Sequence, residues 1–389
     1  MADDRANPPI FEVPYLRLFP WLRLFRVPGA AADPKRLMLA ALGLVLTHAG
    51  WAGLDRVFPG STEVTPVMLV EGGHASRAFG IDEVAEPFHH VASPFVALFD
   101  PTADGPAFAH AACAAVWVVL VWGLLGGAIA RSAAVSAAKF ERITMREALR
   151  FALGKPLPLL GTPFLPMLGV AAVAGAVAAF GLVYRIPGAG PTVGGALAVL
   201  PLIGGLLLTL VLIGLWAGWP LMPASVAAEA EDGFDAMSRA YAYVHQRPWH
   251  YAAYAALAAT LGWVGAAFVR LFADLVVRLA VWALEFGAPA ATVAELYGLT
   301  GRPADPAHGF WLGVVGLFVH AWAYSYFWSA ATVIYLLLRL DVDGKPFHAV
   351  AHRGRPNLLG EAAAAGPARV AEPASAVPAP HAEAPPGQD

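Results

Sequence analysis

Residue types that bind metal ions gather in one stretch of the chain, DEVAEPFHH at residues 82–90. Glu86 and His89 are three residues apart, a spacing that places two side chains on one face of a helix. Pro87 stands between them and disfavours the regular helix that makes this spacing useful. We therefore predict an acidic loop in solvent and no metal site; the alternative is a divalent metal site that also uses His74.

A second set of ionisable residues follows the fifth apolar run of the chain. Arg270, Asp274 and Arg278 recur at every fourth position, which places them on one helical face. Charged groups inside a membrane are costly and mark solute or proton paths, so these three residues and His320 form our candidate polar path. The favoured alternative is a helix at the outer surface in which Asp274 bridges the two arginines.

Two lone histidines, His48 and His320, lie inside long apolar runs. Each could relay protons, although a neutral histidine bonded to a neighbouring helix is the commoner arrangement. Searches for G-x-S-x-G, H-E-x-x-H, C-x-x-C and a phosphate-binding loop find none of these motifs. The lone cysteine, Cys113, excludes a disulfide framework. We predict a protein that is not an enzyme and has no cofactor.

The composition is that of a membrane protein. Hydrophobic residues make up 58% of the chain and charged residues only 14%, against roughly 25% in soluble domains. The formal net charge of -3 argues against a nucleic-acid partner.

Six apolar runs reach the roughly 20 residues that a membrane-spanning helix needs. They are residues 37–54, 107–130, 164–184, 193–221, 249–269 and 310–338. The predicted fold is an all-α, polytopic membrane helix bundle. Its membrane domain covers residues 37–340, with an outer loop at residues 55–106.

The distribution of Lys and Arg between the two sides of the membrane determines the predicted orientation. With the N-terminus inside, the cytoplasmic segments carry 19 of the 25 Lys and Arg residues. Both termini are then cytoplasmic, in a bacterial inner membrane. Residues 1–36, in which LRLF occurs twice, are predicted to lie in the headgroup region; the alternative is an ordinary hydrophobic lead into the first span. Residues 341–389, rich in Ala and Pro, are predicted to be a disordered cytoplasmic tail.

Two cytoplasmic amphipathic helices are predicted between the spans, at residues 144–155 and 232–247. Thr144 and Glu147 form a capping box in the first, and Asp232 is the N-cap of the second. The apolar face of the second helix is our candidate interaction face: Phe234, Met237, Tyr241 and Val244. An offset of 92 residues aligns the two helices, with Lys155-Pro156 on Arg247-Pro248. We predict a duplicated unit of span, amphipathic helix and span; similarity of composition by chance is the alternative.

The stretches ERITMREALRFALGKP and EDGFDAMSRAYAYVHQRPW, each followed by an apolar span, resemble a group of uncharacterised bacterial multi-pass membrane proteins. More loosely, they are similar to the membrane domain attached to some glycerophosphodiester phosphodiesterases. The resemblance covers residues 107–340 and implies a structural membrane domain without the catalytic barrel, so no activity is carried over.

Two functions remain open at this point. The first is a non-enzymatic scaffold in the lipid bilayer, whose amphipathic helices bind a protein partner at the cytoplasmic face. The second is a transport or permease component, or a lipid-handling protein. Transport requires several ionisable groups facing inward at mid-depth. Since the sequence places few such groups in its spans, the scaffold is the first expectation.

Overall fold

The computed structural model describes residues 19–59, 82–100, 102–139, 143–229 and 232–350. Over these ranges the chain forms α-helices and short 3-10 helices with no β-strand, which confirms the predicted all-α class. His74, the first 18 residues of the predicted headgroup segment, and the predicted tail from residue 351 lie outside the described residues.

Fourteen α-helices follow one another along the described ranges. They are α1 (Val27–Ala31), α2 (Pro34–Val57), α3 (Asp82–Ala97), α4 (Gly105–Lys139), α5 (Met145–Leu153), α6 (Pro156–Gly161), α7 (Phe164–Gly181), α8 (Gly190–Ala196), α9 (Val199–Gly218), α10 (Leu221–Glu229), α11 (Gly233–Gln246), α12 (Pro248–Leu284), α13 (Ala290–Leu296) and α14 (Pro306–Asp343). The 3-10 helices are Pro20–Arg26 and Leu182–Arg185.

Five helical segments of the described chain are long and apolar enough to cross a membrane. They are Pro34–Val57, Gly105–Ala138, Pro156–Arg185, Val199–Gly218 and Pro306–Asp343. They coincide with five of the six predicted spans. The remaining predicted span, residues 249–269, lies in α12, a helix of 37 residues that is not among the five.

Helix α12 nevertheless runs antiparallel along the candidate span α14. The Tyr254 hydroxyl, near the start of α12, donates to Asp341 at 2.8 Å, near the end of α14. Further along α12, Gly265 packs against the Trp322 ring, so the contacts move backward along α14. Helix α12 therefore packs along the same length of the bundle as the candidate span α14.

Small residues let α2, α4 and α14 approach one another closely. A Cβ atom added to Gly43 would lie 2.8 Å from the Trp122 ring, and one added to Gly126 would lie 2.6 Å from Trp328. Trp122 in turn stacks on Tyr324 with 4.7 Å between ring centroids. Tyr324 and Trp328 of α14 are therefore packing residues in this core, as is typical of membrane bundles with small-residue interfaces.

Three buried arginines hold the end of the bundle that carries α5 and α11, called here the basic end. Arg36 of α2 donates to the backbone oxygens of Ala30 and Ser132 and to the side chains of Ser132 and Ser136 on α4. These bonds satisfy a charged group that is only 3% exposed.

The other two arginines of the basic end are Arg131 and Arg339. Arg131 of α4 donates to the carbonyl of Ala227 at 2.7 Å and lies over the Phe151 ring of α5. Arg339 of α14 is fully buried and pairs with Glu229 of α10 at 2.7 Å. Together they join α4, α5, α10 and α14.

Helices are present at both positions where the sequence predicts an amphipathic helix, and each has its predicted cap. In α5, Thr144 and Glu147 exchange bonds through side chain and backbone, at 2.8 Å and 3.2 Å, as a capping box. In α11, the Asp232 carboxylate accepts from the Asp235 N–H at 3.0 Å. Each helix is followed by one that begins at a proline, α6 at residue 156 and α12 at residue 248. This shared order is what the predicted duplication requires.

Candidate functional site

Helix α3 lies among the spans, although its sequence was interpreted as part of an outer acidic loop. Its Phe88 ring meets Trp216 of α9 at 4.5 Å between centroids, and Phe95 meets Phe164 of α7 at 6.2 Å. The helix also packs against α4, α12 and α14. Glu86 and His90 are thereby carried into the bundle.

Two prolines, Pro87 and Pro94, lie inside α3 without ending it. A proline has no N–H for the carbonyl four residues before it, which leaves the carbonyl of His90 without its helical donor at Pro94. The Ser93 hydroxyl donates to that carbonyl at 3.1 Å. The local sequence thus compensates for one of the two breaks, and the helix continues through them.

Glu86 and His320 form the central contact of the candidate site. Nδ1 of His320, on α14, lies 3.2 Å from Oε2 of Glu86, on α3. The Glu86 side chain is 18% exposed and that of His320 is 30% exposed. A carboxylate and an imidazole are therefore joined across two helices, in a position with restricted access.

His90 lies one turn further along α3 and is almost completely buried. Its Nδ1 is hydrogen-bonded to the hydroxyl of Tyr324 on α14. The Trp51 ring of α2 meets the imidazole edge-on at 4.4 Å, and the His48 ring lies 5.7 Å away. The five titratable groups, which we call the His/Glu cluster, are Glu86, His48, His90, His320 and Tyr324.

Several polar atoms in and beside the His/Glu cluster have no hydrogen-bond partner among the described residues. They are Oε1 of Glu86, Nε2 of His90 and Nε1 of Trp51, all buried. They comprise an acceptor, an imidazole nitrogen that can donate or accept, and an indole donor. Buried polar groups are normally paired, so an unpaired set of this kind marks a site that a small polar species or a proton can use.

Of the predicted metal-type ligands, Glu86 and His89 lie against different neighbours, and His74 lies outside the described residues. His89 is exposed and lies against Trp216, with 5.9 Å between ring centroids, away from the contact that Glu86 makes with His320. No group of three His, Cys, Asp or Glu residues is arranged to hold a metal ion in the described part of the chain.

The residues of the candidate polar path lie on two helices. Arg270, Asp274 and Arg278 lie on the second half of α12, where the first two are half-buried and Arg278 is exposed. His320 is on α14 and contacts Glu86 of α3. Helix α12 packs against both α3 and α14.

The candidate interaction face of α11 is largely occupied by the protein itself. Val244 is buried in the core, and Met237 and Tyr241 pack against it. The Tyr241 hydroxyl donates to the carbonyl of Val211 on α9 at 2.9 Å. Phe234 is 63% exposed and is the member of this face that remains open.

Sequence reasoning missed Glu86, His90 and Tyr324 as partners of the histidines in the spans. The available signal was the pair His48 and His320, two imidazoles in apolar runs that each needed a polar partner. Helix α3 carries polar residues that could serve as such partners. Its prolines and acidic residues were interpreted as features of a loop.

Comparisons with protein-family models, curated proteins and solved structures find no match for this chain. The resemblance to multi-pass bacterial proteins and to phosphodiesterase membrane domains therefore stays a prediction. The geometry of the His/Glu cluster is therefore the basis of the proposed function.

Proposed function

We propose that this chain is a multi-pass integral membrane transport component whose functional centre is the His/Glu cluster. The observation that carries the proposal is the Glu86 to His320 contact, together with His48, His90 and Tyr324, inside a bundle of apolar helices. Ionisable residues among membrane-spanning helices are rare, and they mark ion, proton or substrate pathways.

This proposal reverses the order suggested by the sequence. The sequence favoured the scaffold because it placed few ionisable groups in its spans. Helix α3 adds Glu86 and His90 to those groups. The face that a docking partner would use is also reduced, since three of its four residues pack against or within the core. Both observations favour transport over a scaffold function.

The proposed orientation keeps both termini in the cytoplasm of a bacterial cell, with the basic end at the inner surface. It requires α12 to cross the membrane as the sixth span. Two observations support this: the antiparallel course of α12 along α14, and the excess of Lys and Arg in segments at the basic end.

The first experiment reconstitutes the full-length protein into liposomes and measures initial uptake of a defined panel of labelled solutes. The panel contains an amino acid, a sugar, a dicarboxylate and a polyamine. We expect uptake of at least one class above protein-free liposomes, lost in Glu86→Gln and in His320→Ala. Glu295→Gln is the control, because that carboxylate lies on α13 at the surface, 67% exposed and 3.9 Å from Arg302.

Transport would be contradicted if the reconstituted protein carried none of these solutes and conducted no protons. Loss of uptake in Asp274→Asn, with Glu86→Gln unaffected, would instead move the path to the stripe on α12. Correct folding of each variant is checked by size-exclusion chromatography before reconstitution.

A scaffold function is the second candidate, supported by the exposed Phe234 on α11. Phe234→Ser changes this surface without entering the core, whereas Tyr241→Ser also removes a bond to α9. We would purify the wild type and Phe234→Ser from the native membrane in nanodiscs and identify the retained proteins and lipids by mass spectrometry. A stoichiometric protein lost only in Phe234→Ser would favour the scaffold.

A further inference from the structure

We propose that Glu86 and His320 form a proton-binding site, and that the ion coupled to transport is H⁺. This inference rests on the proposed transport function and deepens it by naming the ion. A carboxylate and an imidazole at 3.2 Å can hold one proton between them, on either partner. The partners belong to different helices, so the state of the proton affects how α3 is held against α14.

The surroundings of the pair disfavour the ionised form of an isolated carboxylate. One carboxyl oxygen, Oε2, has the His320 imidazole, while Oε1 is buried without a hydrogen-bond partner among the described residues. An ionised carboxylate with one oxygen desolvated and unpaired is costly in a medium of low polarity. The buried Oε1 is therefore the oxygen of the pair to which we propose that a proton adds.

A second imidazole extends the site deeper into the bundle. Nε2 of His90 is buried and has no hydrogen-bond partner in the described part of the chain, while Nδ1 is held by Tyr324. The bond to Tyr324 fixes the ring of His90 and leaves Nε2 as a buried polar atom of the cluster one turn beyond Glu86.

The other titratable groups near the pair come from the helices packed around it. His48 faces the cluster from α2, His89 is the exposed neighbour on α3, and Tyr324 lies on α14 itself. Helix α12, which packs against α3 and α14, carries the half-buried Arg270 and Asp274. The pair is thus surrounded mainly by imidazole side chains, those of His48, His89 and His90.

The proton balance of the step is simple. With His320 neutral and Glu86 ionised, the pair carries one negative charge. Binding of one H⁺ forms an O–H bond on the carboxyl group or an N–H bond on the imidazole, and the pair becomes neutral overall. Release restores the starting state. No electron is transferred and no other reactant is required.

Proton binding is measured directly by infrared difference spectroscopy of the full-length protein in nanodiscs, between about pH 5 and pH 8. We expect a carboxyl C=O band that titrates over this range in the wild type and disappears in Glu86→Gln. The band should shift in His320→Gln and persist in the matched carboxylate control, Glu295→Gln. A spectrum without a titrating band assigned to Glu86 would overturn the inference, whatever the solute measurements show.

Proton movement is measured in liposomes that enclose a pH-sensitive dye, with a potassium gradient and valinomycin providing the driving force. Glu86→Gln should slow the protein-dependent flux by about a hundredfold, at the lower end of what a positioned acid–base group contributes. Glu295→Gln should match the wild type. Flux equal in Glu86→Gln and wild type would overturn the proton site.

The two proposals fail in different ways. A solute carried by the protein, combined with no titration of Glu86, leaves transport standing and removes H⁺ as the coupled ion. Titration of Glu86 with neither proton nor solute flux supports the proton site and contradicts transport.

Discussion

Arg339 and Glu229 form a buried ion pair, with Nη1 2.7 Å from Oε1 and the arginine side chain fully enclosed. Arg339 also donates to the carbonyls of Pro346 and Ala349, just beyond the end of α14. One side chain therefore joins α14, α10 and the segment that follows the last span. It is the central contact of the basic end.

Removal of the Arg339 charge should destabilise the protein severely. Arg339→Met leaves Glu229, whose side chain is only 12% exposed, without this partner, and leaves two carbonyls without their donor. We expect a loss of about 3–5 kcal/mol in the free energy of unfolding. The measurement is the thermal unfolding midpoint in mild detergent.

The double variant Arg339→Met/Glu229→Met is the control for this ion pair. It removes both charges, so it should recover a large part of the stability lost in the single variant. A double variant no more stable than Arg339→Met would show that the bonds to Pro346 and Ala349 matter more than the ion pair.

Gly126 should not tolerate a side chain. A Cβ at this position would lie 2.6 Å from the Trp328 ring, which is 2% exposed and has no room to move. We expect Gly126→Ala to cost about 1–3 kcal/mol through overpacking. Gly53→Ala is the matched control, since a Cβ there has no neighbour within 4 Å. Equal unfolding midpoints for the two variants would contradict the close packing of α4 on α14.

Tyr243 should make stability depend on alkaline pH. Burial, and then the hydrogen bond to Asp343, raise the pKa of Tyr243 above its ordinary value. A folded-state pKa above the unfolded value of about 10 contributes stability below that pH, and this contribution is lost as the pH rises through the folded-state pKa. Tyr243→Phe should therefore lose stability at neutral pH, by about 1.5–3 kcal/mol for a bond to a charged group.

The check on Tyr243 compares unfolding midpoints at neutral pH and above about pH 10. The difference between wild type and Tyr243→Phe should shrink at the higher pH. Tyr184→Phe, at a tyrosine that is 48% exposed, should stay close to the wild type at both pH values. A constant difference across the range would exclude a role for Tyr243 ionisation.

The orientation and the span at α12 can be tested with two single cysteines. Cys113 is exposed and must first be replaced by serine. Ser238→Cys lies before α12, at an exposed position of α11. Leu299→Cys lies after α12, at a position that is 59% exposed. We expect an impermeant maleimide added to intact cells to label residue 299 alone, and residue 238 only after permeabilisation. Labelling of both from the same side would show that α12 does not cross.

Much of the fold could be predicted because its signals are local. Apolar runs of sufficient length coincide with five spans. Thr144 with Glu147, and Asp232 with the Asp235 N–H, form the caps that their spacing predicts, since a cap involves residues within one turn. Helices α5 and α11 therefore begin after the N-cap residues that the sequence predicts.

The helix face that packs inward was less predictable. Arg239 of α11 lies 3.9 Å from Asp343 of α14, a residue far away in the sequence. The apolar face of the same helix was expected to be open to a partner, and Val244 is buried. Periodicity identifies a face but contains no information about which neighbour will cover it.

By itself, the sequence determined the all-α class, the positions of the apolar spans and the helix caps, because each depends on residues close together in the chain. Only the tertiary structure decided that α3 enters the bundle and that Glu86 meets His320, across a separation of 234 residues. The physical reason is that a contact between distant residues depends on how whole helices pack. Glu86 and His90 of α3 have His320 and Tyr324 as partners because α14 packs against α3.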